Sequence, residues 1–257
     1  MRVRFLGTGT SHGVPVLGCS CPVCTSTDTR DSRYRSSVLV EGGAGEVVLI
    51  DAGPEFRLQG LRAGLSRLDA VLVTHAHADH IHGLDDVRPL TRGKPLPVYA
   101  SKADSAEIRL RFSYAFAQGQ EGGGKPRLEL VDADEGVISV GTLSIQAIPL
   151  LHGERRILGF RLGGFAYLTD CSGVPETSKR LLQGLDLLVV GALRLRPHPT
   201  HFSVDEALEL AAELRPSRLL LTHICHDLSH TALEAHCAAA GLSLPAGPAW
   251  DGLTVKL

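Results

Sequence analysis

The stretch that decides the reading is "THAHADHIHG", residues 74–83. Within six positions it places His75, His77, Asp79 and His80, four side chains able to bind a metal. The segment before it, "AVLVT" (70–74), is a short β-branched and aliphatic run of the kind that forms a buried strand. Two imidazoles two residues apart, in a loop leaving a strand, can turn toward one ion. The adjacent Asp–His pair can turn toward a second. Imidazole with carboxylate suits zinc, manganese or iron(II), and spacing alone does not choose among them.

Working outward, the same pattern recurs at other strand ends. "AIPLL" runs into His152, "FAYLT" into Asp170, "RLLLT" into His223 and "VVLI" into Asp51. Side chains of this kind just past apolar strands predict a site built on one rim of a sheet layer. Ten short apolar runs bounded by turn residues read as strands: "VRFLG", "SVLV", "EVVLID", "AVLVTH", "PVYA", "LSIQAIPL", "FAYLTD", "LDLLVVG", "RLLLTH" and "LTVKL". Helices are expected over 203–214, where Ser203 and Glu206 form a capping-box pattern, and over 229–240, closed by Gly241. Weaker helical patterns cover 55–67 and 101–111. The three consecutive glycines, 122–124, within 113–127 predict a mobile loop there, a lid or an interface element. No linker divides the chain, so residues 1–257 are read as one α/β domain, two sheets face to face with helices outside.

At 257 residues, 44% hydrophobic and with a net charge of -2, the chain shows no global bias toward nucleic acid or an anionic membrane. All but five of its 26 cationic side chains are arginine, a skew that nucleotide composition produces as readily as phosphate binding. The opening "MRVRFLGTGT" is too short an apolar run for a secretory signal, and no stretch reaches the roughly 18 apolar residues of a membrane span. A cytoplasmic location is expected, where thiols stay reduced. There, three of the six cysteines, Cys19, Cys21 and Cys24 in "CSCPVC", read as a metal site rather than a disulfide framework. Cys225 and His226 in "THICH" (222–226) are both possible fourth ligands. Cys237, inside a helical pattern, reads as buried filler.

H-x-H-x-D-H after a strand, followed by isolated His, Asp and His at later strand ends, resembles the metallo-β-lactamase fold in its dinuclear hydrolase branch. That resemblance implies an αββα four-layer sandwich. It implies one metal held by His75, His77 and His152, a second by Asp79, His80 and His223, and Asp170 bridging the two. Two ions about 3.5–4 Å apart polarise a phosphoryl or carbonyl oxygen and lower the pKa of water, supplying hydroxide near neutral pH. Asp51 in "LIDAG" (49–53) resembles a common feature of the fold, an orienter of the metal-binding loop rather than a ligand.

Closer still is the resemblance to the phosphoribosyl 1,2-cyclic phosphate phosphodiesterases, relatives of the transfer-RNA 3′-processing endonucleases. It is carried by "CSCPVC" with His226, by "GTGTSHGVP" (7–15) and by "DSRYRSSVLV" (31–40). The resemblance implies a structural Cys₃His zinc site from Cys19, Cys21, Cys24 and His226, which would tie the N-terminal loop to the loop carrying His223. It also implies that His201, in "RPHPTHFSVDEALELAAE" (196–213), reaches over the dinuclear site to protonate the leaving oxygen or stabilise the transition state. His198 is the runner-up for that role. Asp79 is counted among the ligands and, with His201, among the candidate catalytic residues. The implied cofactors are two divalent ions, zinc or manganese, and one structural zinc; a homodimer is expected from the family.

The chain lacks the long basic, glycine-rich arm with which transfer-RNA-processing relatives grip their substrate, and it is slightly acidic. Both favour a small diester, a cyclic ribose or nucleotide phosphate, over a polynucleotide. Arg33, Arg35, Arg155, Arg156, Arg194 and Arg196 are candidate phosphate anchors. The alternatives are a thioester or lactone hydrolase of the same fold, and a non-enzymatic accessory protein of quinone-cofactor biosynthesis, which also bears a cysteine cluster.

Overall fold

The protein is described by a computed structural model over residues 1–91, 93–118, 124–134 and 136–257. The first sheet takes β1 (Arg2–Gly7), β2 (Ser37–Glu41), β3 (Val47–Ile50), β4 (Ala70–Leu72), β5 (Leu96–Ala100) and β6 (Leu128–Asp132). The second takes β7 (Val137–Val140), β8 (Leu143–His152), β9 (Arg155–Leu162), β10 (Phe165–Leu168), β11 (Leu187–Gly191), β12 (Leu219–Thr222) and β13 (Ala246–Pro248). The chain then returns β14 (Thr254–Lys256) to the outer edge of the first sheet, antiparallel to β1. Each sheet is antiparallel on one side and parallel on the other, the change falling at β3 and at β10.

Alternation along the strands makes the layers. In β3, Val48 and Ile50 face the second sheet, where they join Phe5, Leu72, Phe160, Tyr167 and Val189 in one core, while Leu49 faces outward. The outward face of the first sheet is covered by Phe56 of α1 (Phe56–Ala63), Ile81 of α2 (Ala78–Ile81) and Ile108 of α3 (Lys102–Arg111). After α4 (Ser113–Phe116) and α5 (Glu176–Leu181), the second sheet is covered by Ala207 and Ala211 of α6 (Val204–Leu214) and Leu233 and Cys237 of α7 (His230–Ala239). Strands such as β11 and β12 are apolar on both faces because each lies between two layers. The result is the αββα sandwich, with Cys237 in the outer core as expected.

All ten expected strands are present. The helix over 204–214 carries the full capping box between Ser203 and Glu206. The glycine-rich insert differs from expectation at its start, where Ser113–Phe116 forms a helical turn against α3; its residues 119–123 lie outside the described ones. Among the described residues, no helix is long and apolar enough to cross a membrane.

Five strands deliver the site to one rim. Of the four non-glycine residues with positive φ among the described residues, three lie within two residues of the ends of β3, β10 and β12: Asp51 (61°), Asp170 (56°) and His223 (57°). This left-handed conformation costs an L-residue with a side chain about 1–2 kcal/mol, and such strain concentrates at functional sites. Two glycines bring the next layer close: a Cβ on Gly53 would sit 2.2 Å from the Asp79 carbonyl, and one on Gly83 would sit 2.1 Å from that of Gly53.

Candidate metal centre

Beyond β4 the chain runs extended to His77 and then turns once through α2, which presents Asp79 and His80. His75 Nε2 lies 2.9 Å from His77 Nδ1. His152, the last residue of β8, gives its Nδ1–H to the Thr200 carbonyl at 2.7 Å, leaving Nε2 free to face the pair. These three nitrogens form one candidate metal-holding group; Asp79, His80, Asp170 and His223 form another, with the chosen atoms within 4.8 Å of each other in each case. Asp170 Oδ2 is 3.4 Å from His80 Nε2 and 4.0 Å from His75 Nε2, so one carboxylate oxygen faces both groups. All seven residues of the expected donor set therefore converge.

The chemistry of these atoms fits a cation. His80 gives its Nδ1–H to Asp51 at 2.7 Å, while its buried Nε2 makes no hydrogen bond, although Asp79 and Asp170 oxygens lie 3.2 and 3.4 Å away. Burial works against a charge on His80, but Asp170, Asp51 and Asp79 outweigh it and hold its pKa well above the usual value. Burial would raise Asp79 and Asp170, yet the neighbouring imidazoles keep both below the ordinary carboxylate range. His75 and His77 are pushed down by burial, aided by His80 at the first and Arg155 at the second. The site thus sets His75 and His77, kept neutral, beside ionised carboxylates that draw positive charge onto His80. A divalent ion satisfies that demand better than one proton.

Supporting contacts fix the donors. Asp51, fully buried, accepts from the Thr74 amide and hydroxyl, both at 2.8 Å, as well as from His80. It binds the head of the candidate metal-ligand loop at Thr74 and sits in neither donor group. His223 meets Thr10 at Nε2 and Ser36 at Nδ1, each at 3.2 Å. Two supports were not visible in the sequence. Asp104 accepts from the Ala76 amide at 2.9 Å and Arg111 donates to the Ala76 carbonyl at 2.8 Å, clamping the peptide between His75 and His77.

The cysteine cluster closes on His226. Its Nδ1 lies 3.4, 3.5 and 3.4 Å from the sulfurs of Cys19, Cys21 and Cys24. A tetrahedral zinc with ordinary Zn–S and Zn–N bonds places S and N about 3.5 Å apart. Cys225 is not in the group; its sulfur accepts from the Asp227 amide instead.

The candidate phosphate anchors divide. Arg33 is fully buried and cannot reach a substrate: it donates to the carbonyls of Cys225 (2.8 Å) and Leu228 (2.9 Å) and pairs with Asp31 at 2.9 Å. It is a second tie between the N-terminal loop and the loop of His223 and His226. Arg35 is held by Glu55 and the Ser11 carbonyl, and Arg196 pairs with Asp227. Arg156 points to solvent, and Arg194 lies close enough to lower His198. Arg155 stands opposite His152 in the β8–β9 pairing, is braced by Asp104 and acts on His77.

His201 lies over the centre. Its ring stacks on His223 (5.0 Å, 16°) and meets His152 edge-on at 4.8 Å. Burial, with His223 adding to it, pushes its pKa down to about 3. With His152 and Asp170 it forms a further group of convergent ligand atoms. Among the other histidines, His12 and His82 are exposed, His236 bonds Asp205 at 2.6 Å, and His230 packs edge-on against Trp250.

Comparison with known proteins agrees with this geometry. The beta-lactamase superfamily domain matches residues 46–224. A solved diphosphatase of the PhnP family is 40% identical, with a TM-score of 0.91, over 100% of this chain and 98% of that one. An octanoyltransferase of Porphyromonas gingivalis is 38% identical over 88% of this chain; the chain spans only 46% of that protein's length. A coenzyme PQQ synthesis protein B of Methylorubrum extorquens is 30% identical over 74% of this chain and 72% of that protein.

Proposed function

The chain belongs to the beta-lactamase superfamily, beside a PhnP-family diphosphatase, and on that premise we propose that it is a metal-dependent phosphodiesterase acting on a small phosphodiester, a cyclic ribose or nucleotide phosphate. The observation that carries the reading is the placement of the Asp170 carboxylate between two histidine-rich donor groups, with His201 stacked above them. His75, His77 and His152 would hold one divalent ion, Asp79, His80 and His223 a second, and Asp170 both; zinc and manganese suit these donors. Such a pair supplies phosphoryl-oxygen polarisation and a lowered water pKa. Cys19, Cys21, Cys24 and His226 would hold a structural zinc.

The chain's own residues supply the rest. Asp51 and the Thr200 carbonyl fix the tautomers of His80 and His152, so that Nε2 of each faces inward. His201 donates a proton to the leaving oxygen. An anionic phosphoryl group beside its ring favours the imidazolium, opposing the burial that keeps the free site neutral. Arg155, beside His77, offers charge to the same group.

A second reading, a thioester or lactone hydrolase of the same fold, takes support from the octanoyltransferase likeness, since acyl transfer is carbonyl chemistry. The part of that protein this chain matches is less than half of it. The full set of seven donors weighs against a non-enzymatic accessory role like that suggested by the PQQ synthesis relative. Assay of the metal-loaded protein on cyclic and linear phosphodiesters beside an acyl thioester tests the reading: turnover of the diesters is expected, and turnover of the thioester alone would reject it.

A further inference from the structure

His198 is absorbed by none of these roles. It stands at the outer end of a row of imidazoles, its ring 5.0 Å from His201, which in turn meets His152. Thr200 governs its orientation. The Thr200 amide and hydroxyl lie 3.3 and 3.2 Å from His198 Nδ1, while the Thr200 carbonyl receives the proton of His152 Nδ1. An amide N–H can only donate, so His198 Nδ1 accepts and its proton sits on Nε2. Among the described residues that Nε2–H has no hydrogen-bond partner, and the half-buried ring leaves it open at the mouth of the site. One threonine thus presets two histidines with opposite polarity: His152 offers a lone pair inward, His198 a proton outward.

We propose that His198 is a substrate-binding residue whose preset Nε2–H donates to an oxygen on the leaving-group side of the diester, so that the site favours leaving groups bearing a neighbouring hydroxyl or ring oxygen, as a sugar does. The proposal rests on the phosphodiesterase reading, with His201 at the leaving oxygen and His198 next to it on the outside. An aryl leaving group such as p-nitrophenolate carries no oxygen beside the ester oxygen and gains less from the contact.

The test compares 2′,3′-cyclic AMP with bis(p-nitrophenyl) phosphate on metal-loaded wild type, His198→Ala and His198→Gln, with metal content measured for each. One neutral hydrogen bond corresponds to about a five- to tenfold effect. His198→Ala should raise KM for the cyclic nucleotide by that factor with little change in kcat, and raise KM for the aryl diester less. The preference for the sugar ester then falls, and His198→Gln, which keeps an N–H at similar reach, recovers part of it. Equal KM changes on both substrates, or a shared loss of kcat, would overturn the proposal. A wild-type protein that turns over neither diester would overturn the phosphodiesterase reading itself, before any variant is made.

Discussion

Asp170, His77 and His201 carry different parts of the proposed chemistry, and their variants should fail differently. Asp170→Ala removes the carboxylate shared by both donor groups and His77→Ala a nitrogen of one, so each should cost several orders of magnitude in kcat together with metal content; near wild-type turnover with native metal would exclude the mechanism. His201→Ala should keep its metals and lose about 10²–10⁴-fold in kcat on an alkyl diester, the usual contribution of a general acid. The loss should shrink with a p-nitrophenyl leaving group, which departs without a proton. Because the acid form is the active one, kcat on the alkyl ester should decline as pH rises through the His201 pKa of the substrate complex, and this limb should vanish in His201→Ala. The donors were legible because four of them crowd into six residues and the rest end apolar strands. Asp104, Arg111 and Thr200 were not, because they act on backbone groups whose partners are remote in sequence.

Among the elements, the strands between two layers announced themselves by continuous Val, Leu and Ile, as in β3, β11 and β12. The four that the sequence hid are less apolar: β6 and β7 are edge strands with half their side chains polar or exposed, β9 carries three arginines and a glycine, and β13 is Ala-Gly-Pro at an edge. In β9 the glycine is favoured by a close approach, since a Cβ on Gly159 would lie 2.9 Å from the Tyr167 carbonyl oxygen as well as against the Leu168 and Leu150 side chains. The N-terminal loop has no regular strand to hold it; the cysteine cluster and buried Arg33 tie it to the loop after β12, beside the bonds of Thr10 and Ser36 to His223 and of the Ile224 amide to the Thr8 carbonyl. A zinc held by the cysteine cluster would couple its binding to folding. Cys21→Ser should therefore lower thermal stability and remove about one metal per chain, while activity per fully loaded molecule survives. A stable but inactive Cys21→Ser protein would show the cluster to be catalytic.

Across the whole molecule, the end of the two sheets away from the candidate donor rim has its own tie. Glu46, just before β3, accepts from the Thr142 amide at 2.7 Å and hydroxyl at 2.5 Å, and from the Ala44 amide. These bonds, the Thr142 hydroxyl first, lower its pKa to about 2. A depressed carboxyl stabilises the fold above its unfolded pKa of about 4.3 and loses that contribution as pH falls toward 2. Glu46→Gln should lower the melting temperature at pH 7, and the gap from wild type should narrow below pH 4; a gap independent of pH would contradict the assignment. The sandwich itself, by contrast, brings seven candidate donors from four strand ends to one rim, and the reading proposed above has those donors hold two ions used in diester hydrolysis. The most direct measurement titrates zinc or manganese into protein stripped of metal while following turnover of 2′,3′-cyclic AMP. Activity should be absent at the start and saturate only after about three equivalents, one for the cysteine cluster and two for the centre. Full turnover in the stripped protein, or saturation at a single equivalent, would contradict it.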